Sequence, residues 1–272
     1  MKYNPGNVVF LLLSLLFLSC ATNRPADTGT LSFISIDEEL TLGEDISSFT
    51  LRYLDIIRNR SLDKILNDMA EKIGAVSHWS GLPYRVFVIN NDGINHFSLP
   101  GGNIYLFRGL IENADTADEI AVILAHEIAH LAERDAVARL AEKYSFSFAA
   151  QTAIGENPEI AEYIIASLYT DATILDYPKT CEFRADKLAL EYARMAGFNP
   201  RYLSIFLAKI QELESKEPHR CRLLYMTHPP ASARLKRVKR LLKKQSIETN
   251  YALNFAIEFQ NAKRILSRIP QK

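Results

Sequence analysis

The sequence has few cysteines, a single tryptophan and no excess of charge of either sign. Lysine plus arginine and aspartate plus glutamate number 32 each, without an extended basic stripe, which argues against nucleic acid as the main partner. There is no tandem period of about 20 to 50 residues, so no repeat array is expected. What remains is a chain of 272 residues, long enough for one domain with a hydrophobic core.

The only long apolar run lies near the N-terminus, where Val8–Leu18 follows the positive charge of Lys2. This run is shorter than the roughly 20 residues that a membrane-spanning helix needs, and it ends directly at Ser19 and Cys20. The pattern resembles a bacterial lipoprotein signal, in which the cysteine is acylated and becomes the new N-terminus. We therefore predict a signal peptide over residues 1–20 and lipidation of Cys20. The alternative is an ordinary secretory signal with an incidental cysteine.

After this signal, the composition indicates a short linker and one folded unit. Residues 21–35 are predicted to form a flexible tether and residues 36–272 a single domain. Later segments never reach the length of a membrane span, so the membrane is expected to be reached through the N-terminal lipid. The mature chain would keep Cys181 and Cys221, and an exported chain permits a disulfide between them. Two separate thiols are the equally weighted alternative.

The hydrophobic periodicity predicts an α+β chain that is mostly helical. A β-branched and aromatic run over 84–90, and two short segments between 93 and 106 around a Pro-Gly-Gly turn, predict a small sheet. The expected helices span residues 36–59, 61–73, 118–133, one or two within 142–169, 179–195, 201–214 and a basic one from 234 to 244.

The strongest chemical signal is the sequence His126-Glu127-Ile128-Ala129-His130 on the predicted 118–133 helix. His126 and His130 are one turn apart, so both imidazoles leave the same face and can share one Zn²⁺. Glu127 is close enough to act on a zinc-bound water without being a ligand. Burying these side chains in an apolar helix is costly unless something pairs them, which favours a metal site over an incidental pattern.

Two ligands leave the site incomplete. A third histidine six residues past the second is excluded because Ala136 stands there, and the other common solution is a downstream carboxylate. Glu182 and Asp186 are one turn apart on another predicted helix. In that arrangement Glu182 ligates the metal, while Asp186 accepts the free N–H of a ligand histidine and fixes its tautomer. The alternative is a solvated acidic face paired with neighbouring basic side chains.

Four sequence blocks together resemble the zinc metallopeptidases related to the heat-shock protease HtpX and the CAAX prenyl endopeptidases. They are Asn95 to Gly102 (NHFSLPGG), the His-Glu-x-x-His sequence, Glu182 to Asp186, and Thr227-His228-Pro229-Pro230 with Arg234. The likeness runs from about residue 36 to residue 244. The first block usually has Ala where this chain has His96, and we do not predict His96 as a ligand.

The resemblance implies a zincin-like fold with a small β-sheet along the active-site cleft. In such a fold an extended peptide pairs with the edge strand, and Asn95, Phe97, Pro100 and Gly101 would bind substrate. The glycines are also explained by the turn alone. His228 would stabilise the oxyanion or fill the fourth zinc position in a resting state, and Arg234 would support that loop or the developing charge.

The predicted function is therefore a zinc endopeptidase with one Zn²⁺ per chain. Glu127 would take a proton from the zinc-bound water and later deliver it to the leaving amine. The resemblance suggests misfolded or damaged cell-envelope proteins as substrates, and the signal suggests a lipid-anchored, periplasmic protein of the outer membrane. The alternative is a non-catalytic, chaperone-like assembly factor that uses the same cleft. The sequence leaves the oligomeric state open.

Overall fold

The computed structural model describes residues 35–144, 176–244 and 255–270. The predicted signal peptide, Cys20 and nearly all of the tether lie outside these residues, as does most of the helical stretch predicted over 142–169. Within the described residues no helix is both long enough and apolar enough to cross a membrane.

Helices make up most of the described chain, and the predicted α+β, mostly helical class is confirmed. They are α1 Ile36–Tyr53, α2 Arg60–Gly74, α3 Arg108–Asn113, α4 Ala117–Ala132, α5 Asp135–Tyr144, α6 Lys179–Met195, α7 Tyr202–Lys216, α8 Arg222–Thr227, α9 Ala231–Lys244 and α10 Ala256–Leu266. The strands are β1 Ile56–Ile57, β2 Arg85–Ile89, β3 His96–Leu99 and β4 Asn103–Phe107.

The four strands form one mixed sheet in the order β1-β2-β4-β3. Strands β2 and β4 run parallel, whereas β1 pairs with β2 and β3 pairs with β4 in antiparallel fashion. Strand β3 therefore lies at one edge of this sheet. Its register places Phe97 opposite Tyr105 and His96 opposite Leu106.

The sheet separates two hydrophobic clusters because successive side chains of a strand point to opposite faces. Ile104 and Leu106 of β4 belong to the larger cluster, which includes the apolar side chains of α2 and α4. Phe97 and Tyr105 belong to the smaller cluster with the apolar side chains of α1. Consequently α1 covers one face of the sheet, and α2 and α4 cover the other.

Helix α4 lies at the centre of the molecule, and every one of its 16 residues is buried. The side chain of Thr116 caps its N-terminus by accepting a hydrogen bond from the Glu119 backbone N–H. Helices α2, α6 and α7 and strand β3 all pack against it. Any polar side chain of α4 must therefore find its partners inside the protein.

Helix α1 is shorter than predicted, because it ends at Tyr53 rather than near residue 59. The backbone of Leu54 is extended, and Ile56 then pairs with Ile89 of β2. Strand pairing with a distant part of the chain overrides the local helical pattern here, which periodicity alone does not reveal.

Helix α1 also supports the turn between β3 and β4. Gly101 has a left-handed backbone with φ of 77°, and a Cβ on it would lie 3.0 Å from the Cα of Gly43 in α1. A Cβ on Gly43 would in turn collide with the carbonyl of Pro100. Glycine at both positions lets the two backbones approach closely.

The possible disulfide between Cys181 and Cys221 is not formed, and both residues are free thiols. Cys221 lies inside the larger hydrophobic cluster, whereas Cys181 packs against the smaller cluster. The two thiols are therefore separate in this structure, since Cys221 lies in one cluster and Cys181 packs against the other.

Candidate metal centre and active site

Four buried side chains converge beside the centre of α4, namely His126, His130, Glu182 and His228, and their ligand atoms lie within 4.8 Å of one another. The Nε2 atoms of His126 and His130 are 3.1 Å apart. Glu182 Oε2 is 3.5 Å from His126 Nε2, and Glu182 Oε1 is 3.4 Å from His130 Nε2. Ligands about 2.0 to 2.1 Å from a tetrahedral Zn²⁺ would be about 3.3 Å apart, so these positions fit the metal.

Glu182 reaches this point because α6 packs directly against α4. Its carboxylate is fully buried in the first turn of α6, and Oε2 has no hydrogen-bond partner in the described part of the chain. The positive charges of neighbouring histidines oppose the effect of burial and hold the pKa of Glu182 well below its usual range. An ionised, buried carboxylate with an oxygen that has no hydrogen bond is a suitable ligand for a cation.

His228 follows α8 directly and is also buried. Its Nδ1 lies 2.8 Å from Glu182 Oε1, and its Nε2 lies 3.5 Å from the backbone oxygen of His96. The predicted loop histidine is thus brought beside the other three candidate ligands. With it in place the site has four protein donors.

Asp186 lies behind His126, with Oδ1 3.2 Å from Nδ1 of that histidine. Arg234 from α9 donates to both carboxylate oxygens of Asp186, at 2.7 and 3.1 Å. Burial acts to raise the pKa of Asp186, but the charge of Arg234 outweighs it and the pKa falls to about 2. An ionised Asp186 at this distance favours a proton on Nδ1 of His126, and that tautomer would leave Nε2 free to bind a metal.

Asp135 occupies the equivalent place behind His130 and was not predicted from the sequence. Its Oδ2 lies 2.8 Å from His130 Nδ1, and its Oδ1 accepts a hydrogen bond from Arg184. The chain reverses at Arg134, which has a left-handed φ of 58°, and so returns Asp135 to the face of α4 that carries His130. Because a turn intervenes, helical spacing gives no signal for this contact.

Tyr177 was also missed by the sequence reasoning. Its ring stacks on the imidazole of His130 with centroids 4.4 Å apart. The phenol oxygen is buried without a hydrogen-bond partner among the described residues, and burial raises its pKa well above the usual value. The stacking restricts the orientation of the imidazole.

The carboxylate of Glu127 contacts strand β3 and also lies near His228. Its Oε1 lies 2.6 Å from Nδ1 of His96, and both side chains are about 1% exposed. Burial lowers the pKa of His96 to about 4, so its imidazole is neutral at physiological pH. Burial acts to raise the pKa of Glu127, but the bond from His96 and the nearby histidines outweigh it and hold the carboxylate ionised. His96, Glu127 and His228 form a second group whose ligand atoms lie within 4.8 Å of one another.

The residues expected to bind substrate lie in or beside β3, and Asn95, Phe97, Pro100 and Gly101 are all buried. Phe97 stacks on Tyr105 with centroids 4.9 Å apart, so its side chain belongs to the smaller cluster. Pro100 and Gly101 form the turn that packs on α1. The predicted substrate contacts of these residues stay a prediction.

Fold and site together define a metallopeptidase, with a His-Glu-x-x-His helix facing a carboxylate from a second helix. A model of peptidase family M48 matches residues 57–242. The chain therefore belongs to peptidase family M48, a family of zinc metallopeptidases, and the resemblance to HtpX-related enzymes is confirmed.

Several relatives of this chain are named as proteases or metalloendopeptidases. The β-barrel assembly-enhancing protease of Escherichia coli is 27% identical over 234 residues, which cover 80% of this chain and 47% of the relative. Its counterpart from Yersinia pestis is 26% identical, over 74% of this chain and 43% of the relative. The mitochondrial metalloendopeptidase OMA1 of Schizosaccharomyces pombe is 23% identical, over 79% and 64%. The chain spans about half the length of the bacterial relatives that it matches.

Proposed function

We propose that the protein is a zinc-dependent endopeptidase that cleaves cell-envelope proteins. The observation that carries the proposal is the convergence of His126, His130 and Glu182 at metal-ligand spacing, with Glu127 beside them on α4. When bound there, one Zn²⁺ per chain would act as a Lewis acid that makes water a nucleophile near neutral pH.

Glu127 is the proposed general base and acid. Its carboxylate is ionised, and Oε2 has no hydrogen-bond partner in the described part of the chain. It can therefore take a proton from the attacking water and return it to the leaving amine of the cleaved peptide. Complete burial keeps water other than the reactant away from the carboxylate.

His228 is the proposed fourth ligand of a resting site. It lies 2.8 Å from Glu182, and its donors complete a set of four buried groups. Zinc sites with four protein ligands are closed, whereas catalytic sites keep a position for water. The chain would therefore rest in a closed form and open when His228 withdraws. Oxyanion stabilisation is the other role open to this residue.

Arg234 is proposed to act through Asp186 and not on the substrate. Its guanidinium is buried and bonded to both oxygens of Asp186, and Nη2 lies 3.3 Å from Nδ1 of His126. In this position it stabilises the negative charge of Asp186, which in turn supports the candidate ligand His126. This sharpens the sequence prediction, in which Arg234 supported the His228 loop or the developing charge.

The proposed substrates are extended or unfolded envelope polypeptides. Strand β3 forms one edge of the sheet and lies next to Glu127 and His228. A peptide paired with its backbone would therefore pass the site. The bacterial relatives are named for β-barrel assembly in the envelope, which supports the same compartment. Lipidation of Cys20 and outer-membrane attachment belong to this proposal.

The alternative is a non-catalytic, chaperone-like assembly factor. It is favoured by the same relatives' names, which mention assembly as well as proteolysis. An ionised Glu127 with a free oxygen supports catalysis, since a binding protein would have no use for it.

The test is Glu127→Gln, which preserves size and removes the base. Zinc content should stay at one per chain while peptide cleavage falls by at least about 100-fold. The exposed Glu71 on α2 offers a matched control, and Glu71→Gln should behave as the wild type. Full cleavage by the Glu127 variant, or an inactive wild type at full zinc loading, would reject the endopeptidase in favour of the assembly factor.

A further inference from the structure

His96 has no role predicted from the sequence, yet the structure places it against the proposed base. Its imidazole projects from β3 toward α4 and is 1% exposed. Nδ1 lies 2.6 Å from Glu127 Oε1, which is the distance of a strong, charge-assisted hydrogen bond. This contact joins helix α4 to strand β3 at the carboxylate of Glu127.

The direction of the bond follows from the chemistry of its two partners. An ionised carboxylate can only accept, so the proton must reside on Nδ1 of His96. The bond therefore occupies Oε1 of Glu127 and leaves Oε2, which has no partner in the described residues. The two carboxylate oxygens are thus made inequivalent by a neighbour on a different element.

We propose that His96 is a positioning residue for Glu127, whose Nδ1–H fixes Oε1 so that Oε2 carries the proton during peptide cleavage. This inference rests on the proposed function, because it assigns an oxygen of the base to a step of that reaction.

His96 does not need to touch the substrate or the metal for this role. Its Nε2 is buried without a hydrogen-bond partner among the described residues, and its ring lies 4.6 Å from that of His228. The hydrogen bond uses Nδ1 of His96 and Oε1 of Glu127 and needs no metal between them. The bonded arrangement is the one that the structure contains.

Two variants of similar size separate donation from packing. Asparagine places an amide N–H near the position of Nδ1, whereas leucine fills the space without a donor. We expect His96→Leu to lose about 10- to 100-fold in kcat with KM and zinc content unchanged, since a hydrogen bond to a charged group is lost. His96→Asn should retain kcat within about fivefold of the wild type. Equal kcat values for the two variants would overturn the proposal.

A second measurement needs no variant and no activity. The ¹⁵N chemical shifts of the His96 ring in the zinc-loaded wild type report which nitrogen is protonated, and we expect the Nδ1–H tautomer. Protonation at Nε2 alone would overturn the inference even if the enzyme cleaves peptides. A wild type that shows the Nδ1–H tautomer but cleaves nothing at full zinc loading would remove the proposed function, and with it the catalytic purpose of the contact, while the hydrogen bond itself would stand.

Discussion

Asp135 Oδ2 lies 2.8 Å from Nδ1 of His130, so each histidine of the His-Glu-x-x-His sequence has its own carboxylate behind it. Asp186 supports His126 from α6, and Asp135 supports His130 from the start of α5. Both contacts favour the tautomer in which Nε2 is free to bind a metal.

From this arrangement we expect Asp135→Asn to weaken zinc binding by about 10- to 100-fold, because an amide accepts the Nδ1–H less strongly than a carboxylate. The measurement is competition with a chromophoric chelator. Asp68→Asn, a change to an exposed aspartate of α2, is the matched control and should leave the affinity unchanged. Unaltered zinc affinity in the Asp135 variant would show that this carboxylate serves packing alone.

His228→Ala separates the two roles that remain open for this histidine. If His228 is the fourth ligand of a closed site, zinc affinity falls about tenfold or more and basal peptide cleavage rises, because a position opens for water. This is the outcome we expect from its 2.8 Å contact with Glu182. Reduced cleavage at unchanged zinc affinity would instead assign His228 to oxyanion stabilisation. Both quantities come from one preparation, by zinc titration and a fluorogenic peptide.

Glu39 should make the stability of the fold depend on pH. It is buried against Arg134 at 2.6 Å, and burial raises the pKa of its carboxyl to about 7 despite the arginine. The folded state holds the Glu39 proton more tightly than the unfolded state. The stabilising contribution of protonated Glu39 to the unfolding free energy is therefore complete below pH 4.5 and is lost as the pH rises through 7. The loss amounts to about 3 kcal/mol.

This dependence can be isolated by comparing urea unfolding of the metal-free wild type and Glu39→Gln at several pH values. The variant cannot ionise at this position, so the difference in unfolding free energy between the two proteins should change between about pH 4.5 and 7 and be flat outside that range. Glu44→Gln, an exposed change on the same helix, should reproduce the wild-type slope. A constant difference between wild type and Glu39→Gln would contradict the prediction.

Gly43→Ala tests the packing of α1 on the turn that follows β3. Alanine is the better helix former by about 1 kcal/mol, yet its Cβ would collide with the carbonyl of Pro100. We expect a net loss of about 1 to 3 kcal/mol in unfolding free energy. Ser48→Ala on the exposed face of α1 also introduces alanine into this helix but adds no Cβ, so it should be neutral or stabilising. If Gly43→Ala stabilises the protein, the close approach is not required.

The parts of the site that lie on regular helices could be predicted from the sequence. His126 and His130 on one helix, and Glu182 and Asp186 on another, are each four residues apart and so share a helix face. Only the approach of the two helices required the fold. Asp135 escaped prediction because a left-handed residue interrupts the helical register before it.

The remaining differences between the sequence predictions and the structure come from contacts between distant segments of the chain. The bond from His96 to Glu127 joins residues that are 31 positions apart, and neither local pattern nor composition carries that information. The early end of α1 likewise depends on the pairing of Ile56 with Ile89 across the sheet. Whether Cys181 and Cys221 form a disulfide could not be predicted either, because their separation in space depends on packing with two different hydrophobic clusters.

The paired carboxylates behind the histidines also determine which ion the interior can tolerate. Glu182 and Asp186 share the buried guanidinium of Arg234, and Glu127 adds a third carboxylate beside them, so acidic side chains outnumber guanidinium groups there and contribute an excess of negative charge. A divalent cation cancels this charge, whereas a monovalent ion would leave a net charge in a region from which water is excluded. We therefore expect this part of the fold to favour a divalent cation over a monovalent one.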